Sequence, residues 1–374
     1  MENVTIVEEN DEIVEYASFL RDLDELHEEL FIQRKYDKTL APIYTKQQNL
    51  SYVRRFNVDI RLNFAKVIAI AEDTEKLGVL LEIIYVWEDP RLIWDPSKFN
   101  GINKIYANYK DLWIVENSMS ETAMIVDFVA DHRKPVKVFA NGTVSFLHKF
   151  YAEIICKLEL GHFPFDSQDC PIILTAMSYD YDEVTMTVDV TPIELKYASS
   201  GQWDVQKIYG SMDYYNYSST SFEQSTFHIY MKRQPLFYIH VIVVPSLIIT
   251  VLSVGGIFWT SGQEYQNSKM DKLGIGLTSL MSMTVLLGIV ASEIPKTNSF
   301  PLLGTYMVVS LFDIGLACVV LMLMPASKEI ADNKKKIRFR DKICAFIFNR
   351  TFALHLLFQT VNFLNFGVFM SFWK

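Results

Sequence analysis

Four apolar stretches dominate the second half of the chain: Leu236 to Thr260, Leu273 to Ala291, Pro301 to Met324 and Phe352 to Trp373. Each is long enough to cross about 30 Å of hydrocarbon as a helix. Buried helices of soluble proteins are usually shorter, so four such stretches in succession point to a four-helix transmembrane bundle. The first half is patterned differently. Within residues 12–33, Phe19, Leu23, Leu26 and Leu30 recur at helical spacing and predict an amphipathic surface helix. His27-Glu28 in that stretch resembles the start of a zinc-protease helix, but Phe31 stands where the second histidine belongs. After Tyr36 the period drops to two, as in Val58 to Phe64 and Thr185 to Val190, with Pro, Gly, Asn and Asp turns between short runs as far as Arg233. This predicts an all-β sandwich. The chain thus reads as 1–235, a β-sandwich with an N-terminal helix, and 236–374, four membrane helices with a short linker at 325–350.

Charge orients this arrangement. The net charge is −9 over 374 residues, but residues 236–374 hold 12 Lys/Arg against 7 Asp/Glu, which leaves 23 against 37 in residues 1–235. Lys328, Lys334, Lys335, Lys336, Arg338, Arg340, Lys342 and Arg350 lie between the third and fourth stretches, and Lys269 and Lys272 lie between the first and second. Positive loops stay cytoplasmic, so the acidic half and the tail at Lys374 fall outside the cell, with the basic run as a collar facing membrane lipids. An acidic large domain argues against nucleic acid as a partner. Cys156 and Cys170 and the sequons at Asn3, Asn49, Asn141 and Asn216 all fall in the outer half. Cys318 and Cys344 read as free thiols. An exported amino terminus needs a leader, and Met1-Glu2-Asn3 does not begin one, so the chain reads as a mature or trimmed form. There is no P-loop, nucleophile elbow or Cys/His metal cluster, so neither an enzyme nor a cofactor is expected.

Cys156 to Cys170 reads CKLELGHFPFDSQDC, with thirteen residues between the cysteines and Phe163-Pro164-Phe165-Asp166 at the centre. This segment strongly resembles the Cys-loop family of pentameric ligand-gated ion channels, in its cation-selective nicotinic acetylcholine receptor branch. The resemblance extends to Trp87, Trp94-Asp95-Pro96, Gly101, Trp113, Lys232-Arg233-Gln234-Pro235-Leu236, Pro245 and Ser292-Glu293-Ile294-Pro295. It implies a Cys156–Cys170 disulfide, an extracellular sandwich above the bundle, and four further subunits, read as identical, around one pore.

The second stretch reads as the pore helix. Gly274, Thr278, Met281, Val285, Gly288 and Ser292 share one face, with Asp271 just before them. The family match makes Asp271 an acidic ring at the cytoplasmic mouth, which concentrates permeant cations. Lys269-Met270-Asp271 lacks the Pro-Ala-Arg pattern of anion channels. Met281 stands at the family's hydrophobic gate, with Val285 and Ile289 nearby, and Glu293 offers a second outer ring. Without the resemblance, a helix–helix seam of small residues explains the same stripe equally well.

For the ligand, a small-molecule agonist at the interface between subunits, the resemblance points to Trp87, Trp113, Met177, Tyr214, Tyr215, Tyr217 and Phe222. Two positions depart from the family's aromatic cage: Met177 and Ser120 stand where aromatics are expected, and residues 209–222 lack the paired cysteines of acetylcholine-binding subunits. Losing cage aromatics weakens cation–π attraction, so acetylcholine is not the expected agonist. For coupling between ligand and gate, the resemblance names Glu72 or Asp73, Phe163 to Asp166, Arg233 and Pro295. The competing readings are a non-conducting accessory subunit, an anion-selective member of the family and, on the strength of Asp313 alone, a transporter.

Overall fold

The computed structural model describes residues 2–45, 56–115, 118–175, 178–179, 183–217, 220–259, 268–293, 300–324 and 337–373. The chain forms two compact units. One holds residues up to Ala71, Lys76–Lys157 and Asp169–Met231; the other holds Glu72–Glu75, Leu158–Gln168 and Lys232 onward.

The first unit begins with a helix, Glu2–His27, that widens into a π-helical turn over Glu28–Gln33. Among its described side chains, Leu26 and Leu30 are fully buried. Eleven described strands follow: β1 Phe56–Ala71, β2 Lys76–Ile93, β3 Lys104–Asn108, β4 Ser118–Ser120, β5 Thr122–Asp127, β6 Pro135–Phe139, β7 Asn141–Ile155, β8 Ser167–Thr175, β9 Val184–Val190, β10 Trp203–Tyr217 and β11 Thr220–Arg233. They build a sandwich of two sheets, one ordered β3-β6-β7-β2-β1-β9 with β5 added against β7, the other β10-β11-β8-β4. The β1–β9 ladder is parallel and the β1–β2 and β2–β7 ladders are antiparallel.

Period-two burial explains why these segments are strands. Every odd position of β2 from Leu77 to Trp87 is buried, and β7 answers with Val144, Phe146, Phe150, Ala152 and Ile154. In β1 the buried set is Val58, Ile60 and Leu62, then Ala65 and Val67, then Ile70. Register shifts between Leu62 and Phe64 and between Val67 and Ala69 account for the changes of phase, since one extra residue moves the next side chain to the other face.

At the edge of this core, Asp89 is buried and accepts from Tyr36 Oη at 2.9 Å and from Arg91 Nε and Nη2 at 2.8 and 2.6 Å. Burial beside the Asp89 charge pushes the Tyr36 phenol well above its ordinary value. Arg91 reaches on to the carbonyls of Asp37 and Leu40, so the segment after the first helix is pinned to β2.

Among the described residues of the second unit, four helices are long and apolar enough to cross a membrane: Leu236–Phe258, Lys269–Ser292, Leu302–Leu323 and Thr351–Ser371. They are called spans one to four below. Span two continues a helix that starts at Ser268 and ends at Glu293. The helix of span four starts at Ile337, inside the stretch read from hydropathy as linker. Hydropathy finds only the apolar part of a helix, and an extension rich in charged residues has no such signature. After three α-helical residues, Leu236–Tyr238, span one widens into a π-helical turn, Ile239–Val243, just ahead of Pro245, whose missing N–H disrupts the regular ladder.

Polar contacts knit the spans. Gln359 Nε2 donates to the Val251 carbonyl at 3.0 Å, and Asn365 Nδ2 donates to the Tyr306 carbonyl and Ser310 Oγ, both at 3.1 Å. Gly276 lies where a Cβ would run into Cys318 Sγ and Ile257, so spans one, two and three approach closely there. Lys269 Nζ caps the end of span three, donating to the carbonyls of Met322 and Met324 at 3.0 Å each.

Candidate functional site

Three places collect the residues singled out from the sequence. The first is the exposed face of span two. Its buried positions are Gly276, Met283 and Val290, seven residues apart, which face spans one and three. Successive residues turn by about 100°, so the opposite face runs through residues 274, 278, 281, 285, 288 and 292. All six are exposed, Met281 at 70% and Val285 at 56%, and so is Asp271 in the helix's first turn. A Cβ added at Gly274 or Gly288 would meet open space. The backbone of Glu293 ends this helix, and Pro295 lies outside the described residues.

The second place is centred on Arg233. Burial alternates along β11 through Phe227, Ile229 and Met231, and the next inward position is Arg233, whose side chain is 0% exposed. Its Nε lies 2.8 Å from Asp166 Oδ1, its Nη2 3.2 Å from Asp166 Oδ2, and its Nη1 2.7 Å from Glu72 Oε1. Burial alone opposes the charge, but the Asp166 carboxylate, helped by Glu72, raises the guanidinium's pKa further, so the ion is fully retained. Phe163 stacks under the guanidinium at 4.8 Å and meets the Tyr238 ring edge-on at 4.8 Å. The Leu158–Gln168 segment also reaches the spans. Leu302 N donates to Gly161 O and Leu303 N to Phe163 O, each at 3.1 Å, while Phe165 packs against Phe369. Pro164, after a cis peptide bond, is buried with Phe163. Glu72 takes the contact with Arg233, and Asp73 beside it is exposed. Tyr238, and Gln168 donating to Asp166 Oδ2 at 2.7 Å, complete the cluster without having been anticipated. Cys156 and Cys170 are joined in a disulfide that closes the loop holding this segment.

The third place is aromatic. Trp87 is 2% exposed, and its ring meets Trp113 edge to face at 5.8 Å. Trp113, also buried, meets Phe56 at 5.6 Å and Tyr179 at 6.5 Å. Tyr179 was missed from sequence because it stands two residues past the expected cage position, Met177, which lies outside the described residues. Half-buried Ser120 sits on β4 with its Oγ 3.5 Å from Thr175 Oγ1. Tyr214 and Tyr215 are each 61% exposed on β10, whereas Tyr217 ends β10 and Phe222 lies on β11.

Residues 23–235 match the family described as the neurotransmitter-gated ion-channel ligand binding domain. The chain belongs to this family. With its β-domain extracellular and its four membrane-spanning helices, it is a Cys-loop receptor-type protein of the plasma membrane. It is 28% identical over 258 residues to the proton-gated ion channel subunit pbo-6 of Caenorhabditis elegans, covering 68% of this chain and 60% of that one. It is 25% identical over 334 residues to neuronal acetylcholine receptor subunit beta-4 of Bos taurus, covering 87% and 64%. Subunit beta-2 of Carassius auratus matches at 25% identity over 276 residues, covering 73% and 57%. The chain thus spans about three-fifths of the length of these curated relatives.

Proposed function

We propose that this chain is a subunit of a pentameric, cation-selective, ligand-gated ion channel. The observation that carries this reading is the exposed stripe of span two, directly opposite the seam that packs on its neighbours. Five copies of such a face would line a pore with Asp271 at the inner mouth and Met281 and Val285 as an apolar constriction that stops ions by dewetting. The Arg233–Asp166–Glu72 cluster supports a coupling role, because it joins three segments that are each continuous in sequence with sandwich strands. Small-molecule agonist recognition is assigned to the region of Trp113, Tyr179, Met177 and the β10–β11 tyrosines, with buried Trp87 supporting the site from beneath.

The agonist is read as something other than acetylcholine, because Met177 and Ser120 replace cage aromatics. Protons are the second reading of the ligand. The Caenorhabditis elegans relative is a proton-gated channel subunit, and a half-buried His148 contacts Asp127 in this chain. The test is to express the chain alone and record during transmitter pulses, acid steps and ion substitution. Currents that reverse with the cation gradient are expected. Reversal with chloride would establish an anion channel. Silence alone, with currents on adding a nicotinic-type partner, would establish an accessory subunit. Robust currents at low acetylcholine would overturn the reading of the agonist.

A further inference from the structure

We propose that His148, with Asp127, is a proton-binding site of the β-domain, and that its occupation releases the end of β5 from β7. As an account of gating this rests on the proton reading above; as a site it rests on the geometry of one strand pair.

Among the described residues, β5 is held by its ladder to β7 and by the side chain of Asp127 at its end. It pairs with β7 from Thr122↔Ile154 to Asp127↔Phe150, and Met124, Ile125 and Val126 along it are all exposed. A strand with few buried contacts opens at low cost, so a polar tie at its end weighs heavily. That tie is the contact between Asp127 Oδ1 and His148 Nε2, at 2.5 Å. The imidazole lies between two rings of its own strand, with centroids 4.4 Å from Phe150 and 5.6 Å from Phe146, and its side chain is 22% exposed.

The carboxylate is already engaged. Asp127 Oδ2 takes Lys134 Nζ at 2.8 Å, and the same ammonium lies 2.8 Å from Asp131 Oδ1 and 5.1 Å from the Tyr109 ring. Among the described residues, the charged groups facing the imidazole are Asp127 on β5 and Lys134 and Asp131 in the turn before β6. The residue opposite it on β2 is apolar Ile83. A proton on His148 therefore places a second cation on a carboxylate that already holds Lys134, between phenyl rings that cannot hydrate it.

Burial holds the His148 pKa below its ordinary value, against the pull of Asp127. The released, hydrated imidazole takes up a proton first as pH falls below about 6.5. The closed arrangement is therefore fully favoured above that pH and loses stability as pH falls toward the depressed value.

The experiment is hydrogen exchange by mass spectrometry on the full-length protein in lipid nanodiscs at pH 7.5 and 5.5, corrected for intrinsic rates. Peptides covering 122–130 should exchange faster at pH 5.5 by about fivefold, the worth of one hydrogen bond. His148→Gln retains an N–H donor for Asp127 but does not titrate, and should abolish the difference. His228→Gln, at a second histidine–aspartate contact among the described residues of the sandwich, should leave it intact. Asp127→Asn removes the carboxylate that favours the imidazolium and should move the midpoint to lower pH. An acid response that is absent in the wild type, or persists in His148→Gln, or keeps its midpoint in Asp127→Asn, overturns the site. An exchange switch that depends on His148 without acid-evoked current supports the site and overturns protons as the ligand.

Discussion

Arg233 and Asp166 meet at two points in a fully enclosed contact, Nε to Oδ1 at 2.8 Å and Nη2 to Oδ2 at 3.2 Å, and the Arg233 backbone N–H also donates to the Asp166 carbonyl at 3.1 Å. Removing one partner of such a pair strands the other charge, at a cost of about 3–5 kcal/mol. Arg233→Ala should therefore lower thermal stability sharply and reduce surface expression. Arg233→Lys keeps the charge but loses the planar fork, and should fall between the two. Glu72→Gln should be milder, because the Glu72 side chain retains 18% exposure. Normal melting of the alanine variant would show that the contact contributes nothing.

The Cys156–Cys170 bridge spans fourteen residues of sequence. Closing a loop of about 15 residues stabilises by about 3 kcal/mol, chiefly by restricting the unfolded chain. The double variant Cys156→Ser, Cys170→Ser should lower the melting temperature of the purified protein. Mild reduction of the wild type should reproduce the shift.

Much of this was legible from local pattern. Alternation in Val58 to Phe64 marks β1, and apolar length marks the four spans, because burial on one face or in lipid leaves a periodic trace. The β-bulges after Leu62 and Val67 leave none, since an extra residue looks like any other until its partner strand is known. The Arg233 cluster was legible in part. Sequence left Glu72 and Asp73 as alternatives, and the turn geometry brings in only Glu72. Tyr238, Gln168 and Tyr179 escaped because their roles depend on which segments meet in space. The His148–Asp127 pair, 21 residues apart with no motif between, escaped for the same reason.

Asp271 lies in the first turn of the span-two helix, exposed on the unpacked face. Five carboxylates around an axis create a negative potential at the mouth. Asp271→Ala should reduce cation preference, read as a shift of reversal potential in a sodium chloride dilution series. An unchanged reversal potential would remove Asp271 from the filter.

Met281 is 70% exposed on the span-two face, and Val285 follows one turn later at 56%. An apolar ring stops ions only while water withdraws from it, so a polar group of smaller volume should wet the constriction. Met281→Ser should give a standing current without agonist, and Val285→Thr a smaller one, because a hydroxyl replaces a methyl at nearly constant volume. Gly274→Ala is the control. Its Cβ enters open space, and its position lies two turns from Met281, so the closed state should remain tight. Leak in the glycine variant equal to that of Met281→Ser would show that general loosening of the helix, and not wetting at one ring, opens the path.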